Sequence, residues 1–114
     1  MRLLVLALPA RRDMDLIIRQ SRQAFGEEAA TRYRRLMTAA FQELVEEPQR
    51  PASRLESSAS SPVWLYHLRH VARRQSGLRL ANPRHFVAYR FDSDRVDVVR
   101  VLHDAMDFEA QLKG

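Results

Sequence analysis

Cysteine is absent from all 114 residues, which removes disulfide staples, thiolate zinc sites and cysteine nucleophiles together. That suits a reducing compartment, and a cytoplasmic location is the expectation. Long apolar runs are lacking as well. The N-terminal stretch from Leu3 to Leu8 falls far short of the ~20 residues that cross a bilayer. Arg11 and Arg12 follow it at once, with no small-residue cleavage pattern, so a secretory leader is not expected either. The chain is predicted to be soluble, with no membrane contact. Its length allows one compact domain, 1–114, and is too short for two independent cores. Such a domain is stable by about 6–15 kcal/mol, so one well-placed partner matters greatly to it.

Lysine is nearly missing too: of nineteen basic residues eighteen are arginine, set against fourteen acids for a net charge of +5. Distribution says more than the total. Val63 to Arg90 holds six arginines, three histidines and no acid. A local field of that sign attracts an anionic partner, whether nucleic acid or an acidic peptide. A solvated basic face explains the same residues without any partner.

Leu3 to Leu8 reads as a short buried strand closed by Pro9. A helix is expected from about Ala10 to Phe25, since proline suits a helix start. Met14, Ile17, Ile18, Ser21 and Phe25 form its inward stripe, with Arg12, Arg19, Arg22 and Gln23 outward. Gly26 breaks the chain. A second helix follows to Val45, with Glu27 and Glu28 at its positive end. Its stripe is Ala29, Tyr33, Leu36, Met37, Ala40, Phe41 and Leu44. Two amphipathic helices with almost no linker fold back as an antiparallel hairpin. From Glu46 to Pro62, three prolines and five serines predict a connector without regular structure. Strands are expected at Val63–Val71, His85–Phe91 and Arg95–His103, with a loop over 72–83 and a short closing helix from Ala105 to Leu112. The fold class is α+β: a small antiparallel sheet with the N-terminal hairpin packed on one face, in the order β-α-α-β-β-β plus a short helix. The opposite face is left open, or nearly so.

The histidines invite a metal reading, and the spacing argues against it. His67 and His70 are three apart, which on a strand places them on opposite faces, and no acid lies within 63–90 to complete a ligand set. No metal and no cofactor is expected. His103 reads as a strand-end histidine bonded locally to Asp104, with Met106 and Phe108 packing back onto the sheet.

Four segments carry a resemblance. They are the strand-to-helix start Leu8-Pro9-Ala10-Arg11-Arg12-Asp13-Met14-Asp15-Leu16-Ile17 and the junction Phe25-Gly26-Glu27-Glu28-Ala29-Ala30-Thr31-Arg32-Tyr33. The others are the middle strand Pro83-Arg84-His85-Phe86-Val87-Ala88-Tyr89-Arg90 and the closing Arg100-Val101-Leu102-His103-Asp104-Ala105-Met106-Asp107. In this order they resemble the ParE branch of the ParE/RelE toxin superfamily, of the plasmid stabilisation type, and span nearly the whole chain apart from the connector. There are two departures. Leu8 stands where the family often has a serine or threonine cap, which removes about 1 kcal/mol of capping. The loop over 72–83 lengthens the usual hairpin.

The resemblance implies the toxin component of a type II toxin–antitoxin system. It implies a non-enzymatic protein that inhibits DNA gyrase by binding and is neutralised by a ParD-like antitoxin in a hetero-oligomer. Sequence-specific DNA binding is then expected of the antitoxin and not of this chain alone. Arg84, Arg90, Arg100, His103, Asp104 and Met106 are the expected target-binding residues. Met14, Ile18 and Phe25 are expected to edge a groove for an amphipathic antitoxin helix, rimmed by Arg11, Arg12, Arg19 and Arg22 against an acidic peptide. The alternative is a RelE-like endoribonuclease, which needs cations for the phosphate and a general base and acid. Arg69, Arg84, Arg90, His85, Tyr89 and His103 are of the right types. However, Tyr89 and Tyr33 read as core, and Ala105 to Leu112 offers neither tyrosine nor a basic group. A third reading is a chain that has lost toxicity and persists as an antitoxin-binding module.

Overall fold

The computed structural model describes residues 2–57, 61–74, 83–106 and 111–112. Its elements are β1 (Leu3–Leu6), α1 (Leu8–Phe25), α2 (Glu27–Glu46), β2 (Arg54–Glu56), β3 (Val63–His67), α3 (Arg69–Arg74), β4 (His85–Phe91) and β5 (Arg95–His103). The expected α+β class and helix hairpin are present. The sheet has five strands in the order β1-β5-β4-β3-β2 and is mixed: β1 runs parallel to β5, and the other three pairings are antiparallel. Parallel partners need a long crossover, and here almost the entire chain lies between them.

α1 starts two residues earlier than its apolar stripe suggested. Ala7 sits extended at the N-cap with no side-chain hydrogen bond, and Pro9 occupies the first turn, where its missing N–H would be unpaired anyway. At the other end Gly26 closes α1 and opens α2 with φ 95°, ψ 177°. No atom lies within 4 Å of where a Cβ would stand. Glycine is therefore required there by backbone conformation, not by space. That conformation turns the chain sharply, so the two helices lie against each other over the sheet.

Their inner faces supply most of the core. Ile17 and Ile18 from α1, and Leu36, Met37, Ala40, Phe41 and Leu44 from α2, are buried against Val87, Tyr89, Val96, Val98 and Val101. Val98 and Val101 are three apart yet face the same side, because β5 carries a bulge: Ala88 pairs with Arg100 and Tyr89 with Val98, leaving Val99 extra. Asp13 of α1 docks into that bulge. Its carboxylate accepts Arg100 Nε at 2.7 Å, Arg100 Nη2 at 3.0 Å and the Val101 N–H at 2.9 Å.

Several expectations are corrected. The connector is not wholly irregular, because Arg54–Glu56 adds an edge strand to β3. β3 stops at His67, and α3 begins where strand and loop were expected. His70 is consequently helical and stacks on Tyr66, with ring centroids 5.5 Å apart. The rest of the 72–83 loop, from 75 to 82, lies outside the described residues. The far face of the sheet is not bare. Val63, Leu65 and Ala88 form a second buried cluster with Phe86, Val99 and Leu112. The closing helix is described only at 111–112, and residues 104–106 form a turn and bend instead.

Tyr89 fastens the connector to the core. It is fully buried, its hydroxyl bonds the Pro48 carbonyl and Ser53 Oγ, and burial pushes its pKa up to about 12. Tyr89→Phe should cost about 1–2 kcal/mol, since it leaves a buried carbonyl short of a donor. Urea unfolding checks this, and the slope m should stay unchanged.

Candidate functional site

The ends of β4 and β5 meet the first two turns of α2 at the tip of the hairpin. His85 and His103 are register partners on neighbouring strands, and their rings meet edge to face at 5.3 Å. Tyr33 reaches across from α2. Its oxygen accepts the Arg84 backbone N–H at 3.2 Å and lies 2.6 Å from His85 Nδ1. Burial raises the Tyr33 pKa to about 12, against the opposing pull of the Arg84 N–H. Burial, followed by repulsion from His103, lowers the His85 pKa to about 4. Near neutral pH both groups are uncharged.

Behind this pair lies a carboxylate node. Asp104 accepts Arg84 Nε at 2.9 Å, Arg84 Nη2 at 2.9 Å and His67 Nε2 at 3.0 Å. His67 is 2% exposed, and its Nδ1 accepts the Arg69 N–H at 3.0 Å. The ring therefore donates from Nε2, and burial lowers its pKa against the opposing bond to Asp104. Burial also works against ionisation of Asp104, but the bonds from Arg84 and His67 outweigh it and hold the carboxyl at about 2. The local bond expected between His103 and Asp104 is minor, at 3.7 Å. His103 Nδ1 instead accepts the Ala105 N–H at 3.0 Å, because the chain turns back there.

A groove of about 490 Å³ opens in front of the histidines. Ile17, Gln20, Ser21, Ala24 and Phe25 line it from α1, and Ala29, Arg32 and Tyr33 from α2. Arg84, His85 and His103 form its third side. Phe25 stands 79% exposed at its rim. Among the described residues no carboxylate lines it.

The structure gathers some expected residues and scatters others. Arg84, His103 and Asp104 come together, and Met106 follows them 43% exposed, its N–H bonded to the His103 carbonyl. Arg90 lies elsewhere, donating to the Ser61 and Pro62 carbonyls, and Arg100 is engaged by Asp13. Met14 and Ile18 do not line this groove: Ile18 is 5% exposed within the core, with Met14 packed against that core. The apolar wall is instead the next face of α1, through Ile17 and Ala24 to Phe25. Arg12 and Arg19 stand exposed, Arg11 donates to the Leu6 carbonyl, and Arg22 pairs with Glu27 across the glycine. Tyr33, read from the sequence as core, does pack against it and also lines this site, as does Arg32. The one available signal was a hydroxyl and a cation at the edge of an apolar stripe. Among the described residues no group of three or more potential ligands could hold a metal, and no buried side-chain polar atom lacks a partner.

A helix hairpin over a small mixed sheet, with a groove at its tip and a paired polar network behind it, defines a compact α+β binding domain. Residues 4–108 match the family described as the ParE toxin of the type II toxin-antitoxin system, parDE. That match covers nearly the whole chain, and the protein belongs to this family of toxins. An antitoxin partner follows from that membership. No curated protein matches the chain, and among the described residues no helix is long and apolar enough to cross a membrane.

Proposed function

We propose that this toxin acts by binding DNA gyrase, without a catalytic step, and that a ParD-like antitoxin neutralises it by covering the helix hairpin. The observation that supports this reading best is the cluster at the strand ends. There Asp104 braces Arg84 from behind while His103 and Met106 stay at the surface. Arg84, His103 and Met106 are the proposed target contacts, with Asp104 positioning Arg84. Arg90 and Arg100 are retained only as supports of the backbone on which that face is built. On the other side, Arg12, Arg19 and Arg22 with exposed Phe25 form the proposed antitoxin surface, and Arg11 and Met14 flank it. An acidic, amphipathic tail suits that arrangement, because folding onto the toxin buries a large surface in one step.

RNA cleavage is the weaker reading. Of the groups it would call on, the Arg84 guanidinium is bonded to Asp104, His85 Nδ1 to Tyr33 and the Tyr89 hydroxyl to Pro48 and Ser53, which among the described residues leaves Arg32 and His103 without a second base or acid beside them.

The direct test is supercoiling by gyrase in the presence of purified toxin, beside a messenger-RNA cleavage assay. Inhibition of supercoiling with intact RNA is the expected pair of results. Cut RNA with supercoiling untouched would remove the gyrase reading. His103→Ala combined with Met106→Ala should weaken inhibition at least tenfold and relieve growth arrest, while antitoxin binding persists. Loss of antitoxin binding as well would mark these residues as structural.

A further inference from the structure

The groove at the hairpin tip has a chemistry beyond the proposed target contacts Arg84 and His103 that form part of its wall. Its volume of about 490 Å³ lies within the range of small-molecule sites, about 300–1,000 Å³. Its apolar lining is Ile17, Ala24, Phe25 and Ala29, and the charged side chains that line it among the described residues are cationic, Arg32 and Arg84, beside His85 and His103. Arg32 is exposed and has no hydrogen-bond or ion-pair partner among the described residues. His103 accepts the Ala105 N–H through Nδ1, so when neutral it carries its proton on Nε2 as a donor. Arg84 bonds Asp104 through Nε and Nη2, leaving Nη1 unused in that pair. Asp104 stands behind Arg84 and is not part of the lining. Among the described residues, a charged ligand entering this groove meets one sign of charge beside hydrocarbon.

We propose that the groove is a binding site for a free amphipathic carboxylate, a small molecule of about ten to twenty heavy atoms with a flat apolar body. The body lies between Ile17, Ala24 and Phe25, and the carboxylate accepts hydrogen bonds from Arg32 and His103. Such donors bind a carboxylate more strongly than a neutral group of the same shape, because the bonds are charge-assisted. Sharing Phe25 with the proposed antitoxin surface, a bound ligand would also touch the edge of that complex. The site also shares Arg84 and His103 with the proposed target contacts, but ligand binding is read directly and apart from supercoiling.

Titration of the full chain with indole-3-acetate, and separately with its near-isosteric neutral amide, indole-3-acetamide, tests this by amide NMR shifts. The expected result is saturable shifts confined to Ile17, Ala24, Phe25, Ala29, His85 and His103, with the acid bound at least tenfold more tightly than the amide. Arg32→Glu should erase that preference and Arg32→Gln should reduce it. Arg34→Glu, two residues along and on the other side of α2, should leave it intact. Equal binding of acid and amide would overturn the proposal. So would shifts spread along Arg12 and Arg19, or an equal loss from Arg34→Glu. If the acid fails to bind while the peptide acetyl-Glu-Trp-Glu-amide shifts the same residues, the groove takes a protein segment and the free-ligand assignment is wrong.

Discussion

Asp13→Ala is expected to lower the unfolding free energy by about 3 kcal/mol, the largest loss of any single substitution outside the apolar core. Three donors depend on that carboxylate: both arms of Arg100 and the Val101 N–H within the bulge. The pair is mostly withdrawn from water, with side-chain exposures of 25% for Arg100 and 16% for Asp13, so water cannot take over the bonds fully. Removing the acid leaves a partly buried guanidinium without its counter-charge and a peptide N–H without an acceptor, and each is costly. Asp13→Asn keeps an acceptor for one donor and should lose about half as much. In a domain of this size a 3 kcal/mol loss moves the melting temperature down by about 12–20 °C. Calorimetry of both variants checks the order. If Asp13→Ala melts within about 2 °C of the parent, the bulge is held by the ladder alone.

The second large effect concerns acid. Burial and His103 hold the His85 pKa at about 4, against an ordinary value of 6.5. His67 pushes the same way, while Asp104 and Asp13 pull against them, and Tyr33 is hydrogen-bonded to the ring. Between those two values the unfolded chain binds more protons at this residue than the folded one. Stability therefore rises with pH through that window. His85's contribution is fully present above pH 6.5 and lost as the pH falls through about 4. The total is about 3 kcal/mol, with a slope approaching 1.4 kcal/mol per pH unit in mid-window. His67, shifted in the same direction, adds with the same sign. The depressed pKa of Asp104 acts lower, between 3.8 and about 2, where its protonation removes a further share. Urea unfolding at pH 7 and pH 4.5 should show the drop in the parent and a much flatter response in His85→Gln. An unchanged slope in that variant would assign the titration to another group.

How much of this the sequence disclosed depends on the range of each interaction. The helix hairpin was plain because its signal is local. Ile17 and Ile18, and then Leu36, Met37, Ala40, Phe41 and Leu44, recur at helical spacing, and all are buried. Phe25 obeyed the same spacing and is exposed, since the stripe runs past the end of the sheet. β2 was hidden because a three-residue edge strand between prolines has too few residues for a pattern. The parallel alignment of β1 with β5 has no signature in either segment alone. The site was half legible. Arg84, His103 and Asp104 came from the family resemblance, and they do lie together. Tyr33 was read as core because nothing in its neighbourhood announces a histidine 52 positions away. The docking of Asp13 across 87 residues onto Arg100 was equally invisible.

Because the first strand lies beside the last, this protein cannot mature piecemeal on the ribosome. Leu3 through Leu6 have no edge to join until Arg95 to Val98 have been synthesised, so the N-terminal hairpin must wait with its oily side uncovered. Contacts so distant along the chain slow folding. A cell translating this message therefore has an interval, before the sheet closes, in which the hairpin exists and the finished strand-end face does not.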